Sequence, residues 1–200
     1  MRRVGPHRGA TAGYSLVELL TVVGIMGVLS TLALLSVPGL FNAAQVKNAA
    51  YQISETLDQA RTYAMAQNTY VWVRFDSAAP TGIQLQIQAS RDQSLNDVSA
   101  NMVALGKTLQ FQRLALNGNL PSYGGRPAAS AKISASTETP TAIQFNPEGE
   151  AFLAQGNGST ETDTLNKCIE VGLQSLHGQL QDTAALQIGG LTGQSVIYRP

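Results

Sequence analysis

One cysteine and two histidines occur in 200 residues, and these shortages exclude most site chemistry. Cys168 alone can form no internal disulfide and no multi-cysteine zinc or iron–sulfur site. His7 and His177 leave little for metal binding or proton transfer. Charge is also scarce: 13% of residues are Asp, Glu, Lys or Arg, about half the usual quarter. Thirteen basic residues cancel thirteen acidic ones, so the whole chain carries no excess that would attract a polyanion. A serine nucleophile elbow, a paired His/Glu metal motif and a phosphate loop are missing as well. Gly156-Asn157-Gly158-Ser159 lacks the lysine and following helix of a phosphate loop, and Glu161 and Asp163 lack calcium-loop spacing. Glu148 and Glu150 flank Gly149 behind Pro147, which reads as a turn and not as a carboxylate dyad. His177-Gly178 reads as a solvated turn, and Cys168, with no basic neighbour to activate it, as a strand residue. No catalytic, cofactor or metal residue is expected, and an enzyme is disfavoured.

One run of the chain is rich in what the rest lacks. From Leu19 to Val46, 28 consecutive residues carry no charge. Leu19–Val37 is long enough, at about 1.5 Å per residue, to span a hydrocarbon core of about 30 Å. Pro38-Gly39 is expected to kink the helix or mark its exit, because proline removes a helix hydrogen bond. A cleaved secretory signal would have a shorter apolar region, of about 7–15 residues, ending in small residues. A buried core helix would show a polar face, and none is visible. Arg2, Arg3, Arg8 and His7 precede the run with no acid among them, and Lys47 follows it. That asymmetry predicts a cytoplasmic N-terminus, a single pass through the inner membrane and a periplasmic body. Glu18 stands at the mouth of the run, where a carboxylate needs either a partner or the headgroup level.

Gly13-Tyr14-Ser15-Leu16-Val17-Glu18-Leu19-Leu20, between a basic leader and an apolar run, resembles the processing site and helix of type IV prepilins and pseudopilins. The resemblance implies cleavage after Gly13 by a prepilin peptidase, which also methylates the new N-terminus at Tyr14. It implies that Glu18 serves in assembly and that the helix packs against those of other pilins or pseudopilins. Tyr14 stands where phenylalanine is usual, and Pro38 lies further along than the usual helix proline. Physical reasoning agrees on one point. Glu18 of one chain can neutralise the Tyr14 ammonium of another, and a buried pair is tolerable only when matched. Gly24, Gly27 and Thr31 would let helices approach closely.

Beyond the run, Val46, Ala50, Ile53, Leu57, Ala60 and Ala64 form one apolar helix face. Lys47, Glu55, Asp58, Arg61 and Gln67 form a solvated one, so the helix is expected to continue to about Asn68. Tyr70–Phe75 is aromatic and β-branched, and Ile83, Leu85, Ile87 and Ala89 alternate with glutamines; both read as strands. Asp76–Gly82 is expected to join them, and Gly189–Gln194 to turn a last hairpin. Further strands are expected at Thr108–Leu114, Ala131–Ala135, Ala142–Asn146, Lys167–Gln174, Ala184–Ile188 and Ser195–Arg199. The expected organisation is a leader at 1–13, a transmembrane helix at 14–41, an amphipathic periplasmic helix at 42–68 and a β-rich head at 69–200. The fold class is α+β: a long N-terminal transmembrane helix continuing into a helix packed on an antiparallel sheet.

The segment Ser54–Phe75, with Gln59-Ala60-Arg61 and Ala64 ahead of a valine-rich strand, resembles the GspH/FimT-type minor pseudopilins. The ending, from Cys168-Ile169-Glu170 to Tyr198-Arg199-Pro200, resembles a prepilin-like cassette family. Two functions follow from these resemblances. One is a minor pseudopilin, a structural subunit of a type II secretion-like pseudopilus. The other is a minor type IV pilin of the FimT kind that binds DNA during uptake. Losing the three leader arginines leaves ten basic against thirteen acidic residues, a net charge of −3. The ten are scattered, whereas phosphate contacts need clustering, so a nucleic-acid partner is disfavoured.

Overall fold

The computed structural model describes residues 14–78, 82–95, 99–120, 125–133, 141–155, 167–176 and 182–199, with the side chains of 32–41, 78, 99, 141 and 155 excepted. The chain divides into two compact units, Met1–Pro38 and Gly39–Pro200. One helix, α1 (Leu16–Gln67), begins in the first and ends in the second.

In the first unit the helix forms where expected, but its reading as a membrane span is overturned. Among the described residues no helix is long and apolar enough to cross a membrane. Glu18, a carboxylate, falls within the exposed apolar stretch from Leu16 to Leu29. The transmembrane helix expected at 14–41 is therefore corrected. With it go the single-pass inner-membrane placement, the membrane as a partner, and the cytoplasmic and periplasmic assignments. Pro38 and Gly39 do not end α1; their side chains, and the expected kink, lie outside the described residues.

In the second unit α1 ends on a backbone signal. Asn68 takes the left-handed conformation at φ 50°, and the Thr69 amide donates to the Ala64 carbonyl at 3.0 Å. This is a Schellman closure with asparagine in the position glycine most often takes. The face predicted from Val46, Ala50, Ile53, Leu57, Ala60 and Ala64 is buried, each residue at most 2% exposed. Burying a side chain such as Ile53 or Leu57 stabilises the unit by about 1.5–3 kcal/mol each.

The expected single-sheet head is two sheets. The first has the order β3-β2-β1-β6-β7, all antiparallel. Its strands are β1 (Val71–Ala78), β2 (Gly82–Ser90), β3 (Met102–Gln112), β6 (Thr141–Phe145) and β7 (Ala151–Gln155). The second has the order β10-β9-β8-β4, from β4 (Leu114–Leu116), β8 (Cys168–Ser175), β9 (Thr183–Gly189) and β10 (Ser195–Tyr198). A further strand, β5 (Ala131–Ile133), pairs in parallel with β8 at Ile169–Val171, beside the stretch that β4 pairs with. One core holds the buried face of α1 together with Val73, Phe75, Leu85 and Ile143 of the first sheet and Val171, Leu173 and Leu186 of the second.

The differences from expectation have local causes. The strand expected at Thr108–Leu114 begins at Met102 and is divided by Arg113 at φ 60°, so Leu114 starts β4 in the other sheet. Gly106, at φ 76°, sits in a bulge where β3 slips its register against Leu85 and Ile87. Strand β7 was not expected, since Ala151–Gln155 lacks both alternation and β-branched residues. It forms because the Pro147-Glu148 turn returns the chain antiparallel to β6.

Gly172 shows how closely the second sheet is covered. A methyl group there would collide with the Asn117 carbonyl oxygen and crowd Leu120. Gly172→Ala is expected to destabilise the fold by about 1–3 kcal/mol, read as a lower midpoint in urea unfolding. An unchanged midpoint would show that the Asn117 segment yields freely.

Candidate assembly surface on the N-terminal helix

Of the expected site residues, Gly13 lies outside the described residues and Tyr14 is 88% exposed. Ser15 precedes the first helical residue, and Glu18 stands three positions beyond it. A Glu18 carboxylate oxygen (Oε2) accepts the Ser15 amide at 3.2 Å, and the Leu19 amide donates to the Ser15 carbonyl at 3.1 Å. That is the glutamate half of a capping box, and a carboxylate in the first turn also meets the positive end of the helix dipole. Glu18 therefore has an intrachain role that sequence reasoning missed, although Ser15-x-x-Glu18 was legible as a capping signal.

The hydroxyls of the segment are turned inward on the backbone. Thr21 donates to the Glu18 carbonyl at 2.8 Å, Ser30 to Met26 at 2.7 Å and Thr31 to Val28 at 2.7 Å. Their polarity is thus spent within the helix, and what faces outward is apolar. Ten large apolar side chains from Leu16 to Leu29 are each at least half exposed, from Val22 at 50% to Leu16 at 79%. Consecutive pairs such as Leu19-Leu20, Val22-Val23 and Val28-Leu29 point in different directions at about 100° per residue, so the apolar surface encircles the helix. Gly24 and Gly27 have, among the described residues, open space where a side chain would be.

Elsewhere the structure assigns polar residues to holding the fold. Glu150 caps the β6–β7 turn: its Oε2 accepts from the Asn146 amide nitrogen at 2.8 Å, and its backbone amide donates to Asn146 at 2.8 Å. Arg61, expected on the solvated face, instead donates to the Gly149 carbonyl at 3.2 Å and lies against Gly193. Both glycines have positive φ (83° and 61°), so a long-range contact invisible to helical periodicity clamps two turns onto α1. Asp92 accepts from Ser90, Ser94 and Asn101, and the hydrogen bonds from Ser94 and Asn101 hold its carboxyl well below the usual carboxylate range. On the outer side of β8, Glu170 is 2% exposed, pairs with Arg126 at 3.2 Å and accepts from Gln187 at 2.9 Å. A charge flanked by Ile169 and Val171 was the one sequence signal of this cluster.

Cys168 is half-buried, and burial, followed by the charge of Glu170, pushes its thiol pKa up. Alkylation by iodoacetamide is expected to be slow at neutral pH and to rise only as the pH passes the ordinary thiol range, because the thiolate is the reacting form. Fast alkylation at pH 7 would reveal an activated thiol instead. His177, Glu161, Asp163 and Gly156–Ser159 lie outside the described residues. Among the described residues no three His, Cys, Asp or Glu side chains stand where they could hold a metal ion.

Comparison of the chain with models of protein families, with curated proteins and with solved structures finds no match.

Proposed function

We propose that the chain is a structural filament subunit, a minor pseudopilin of a type II secretion-like pseudopilus, cleaved after Gly13 by a prepilin peptidase and N-methylated at Tyr14. One observation carries this reading: the apolar surface that encircles α1 from Leu16 to Leu29. An apolar helix with no polar face requires burial on every side, and a lone copy cannot provide it. A bundle of such helices from several subunits would. Open space at Gly24 and Gly27 suits close helix approach in that bundle. The partners are other pseudopilins, met through this helix, and the peptidase that processes the chain.

The test uses protein taken from cells that make it at native level. Mass spectrometry should find a methylated Tyr14 at the N-terminus. In a Cys168→Ser background, Val23→Cys should give disulfide-linked species containing a second pilin-like chain. An intact Met1 terminus together with no linked species would overturn the proposal.

A further inference from the structure

A second surface, on the other unit, has the geometry of a vacant strand position. Strand β10 ends its sheet, and among the described residues nothing pairs with its outer side. The chain here runs antiparallel alongside α1. Gly193 lies against Arg61, the Ser195 and Ser54 hydroxyls are 2.7 Å apart, and the Arg199 guanidinium sits 5.5 Å from the centre of the Tyr51 ring. Next to that line, α1 carries an open, mainly apolar groove bounded by Tyr51 and Tyr63 and containing Glu55, Asp58 and Thr62. Tyr51 and Tyr63 are 55% and 38% exposed. The helix flank therefore extends beyond the last strand of the sheet, as it would beneath one strand more.

Sheet edges are usually blunted by charge, proline or a bulge. The edge strand β3 follows that rule, with the Gly106 bulge and Lys107. Strand β10, Ser195-Val196-Ile197-Tyr198, is short but has no charge, proline or bulge within it. We propose that β10 and the neighbouring flank of α1 form a docking site for an extended segment of a partner polypeptide, which adds as a strand to β10. Backbone pairing with Val196–Tyr198 would supply affinity. Apolar side chains at every second position would lie between Tyr51 and Tyr63. A lysine or arginine would meet Glu55 and Asp58, since Arg61 and Arg199, beside the groove, are turned to Gly149 and Tyr51. A second copy docking through its own β10 would set the two acidic flanks face to face, so a foreign segment with basic residues fits better. This site does not depend on the filament reading.

The test is hydrogen–deuterium exchange of the full chain with a synthetic peptide that alternates valine and lysine. The peptide is expected to slow exchange of the Val196–Tyr198 amides about tenfold, while a copy N-methylated on every amide, with no donor left on either edge, leaves them unchanged. Glu55→Lys with Asp58→Lys should weaken peptide binding about tenfold without altering exchange elsewhere in the unit. No protection of β10 at millimolar peptide would overturn the proposal. So would equal protection by the N-methylated peptide, or β10 protection that grows with protein concentration when no peptide is present; the last would assign the edge to a second copy.

Discussion

Arg126→Met is expected to destabilise the β-rich unit by about 3–5 kcal/mol, because it strands a buried carboxylate. Glu170 is 2% exposed on the outer side of β8 and Arg126 is 10% exposed, with 3.2 Å between guanidinium and carboxylate. Gln187 donates to the other carboxylate oxygen at 2.9 Å and to the Pro127 carbonyl at 2.8 Å, so the pair also fastens the segment carrying Pro127 to β9. Removing the cation leaves the Gln187 hydrogen bond and no countercharge. Urea unfolding should show the midpoint falling sharply at an unchanged slope. The double variant Arg126→Met with Glu170→Met is expected to recover most of the loss, since replacing both partners of a buried pair by apolar groups is often neutral or better. A single-variant loss below about 1 kcal/mol would mean that the carboxylate escapes to water.

In the proposed filament Glu18→Leu is expected to abolish most incorporation, and the structure adds an intrachain cap to the charge pairing expected from the sequence. The side chain accepts the Ser15 amide at 3.2 Å within its own chain, a cap worth about 0.5–1 kcal/mol. In the proposed filament it also offsets the Tyr14 ammonium of another subunit, and an unpaired buried ammonium costs about 3–5 kcal/mol. Glu18→Gln divides the two, because the amide oxygen keeps the cap and loses the charge. Helicity measured by circular dichroism should fall slightly in the leucine variant and not in the glutamine one. Crosslinking to partner subunits should fall in both, on the order of a hundredfold. If the glutamine variant crosslinks as well as the original chain, Glu18 is a cap alone and the charge-pairing role is lost.

What the sequence determined by itself was local and periodic. The face from Val46 to Ala64 could be read because apolar residues three and four apart share one side of a helix, and it is the buried face. The glutamines at 84, 86 and 88 could be read because a strand alternates sides, and Ile83 and Leu85 between and beside them are buried. The apolar run was legible as helix; its reading as a membrane span was overturned, since among the described residues no helix is long and apolar enough to cross a membrane. Tertiary structure alone decided the pairing of distant segments. Arg113 at φ 60° sends Leu114 into the second sheet, β7 exists because a turn delivers it to β6, and Arg61 meets glycines far away in the chain. None of these carries a local signature, because each residue is held by partners far off in sequence, and its own neighbours are compatible with several conformations. Glu170 shows the same division: the sequence marked a charge between apolar residues, and only the fold supplied Arg126 and Gln187, without which that charge could not be buried.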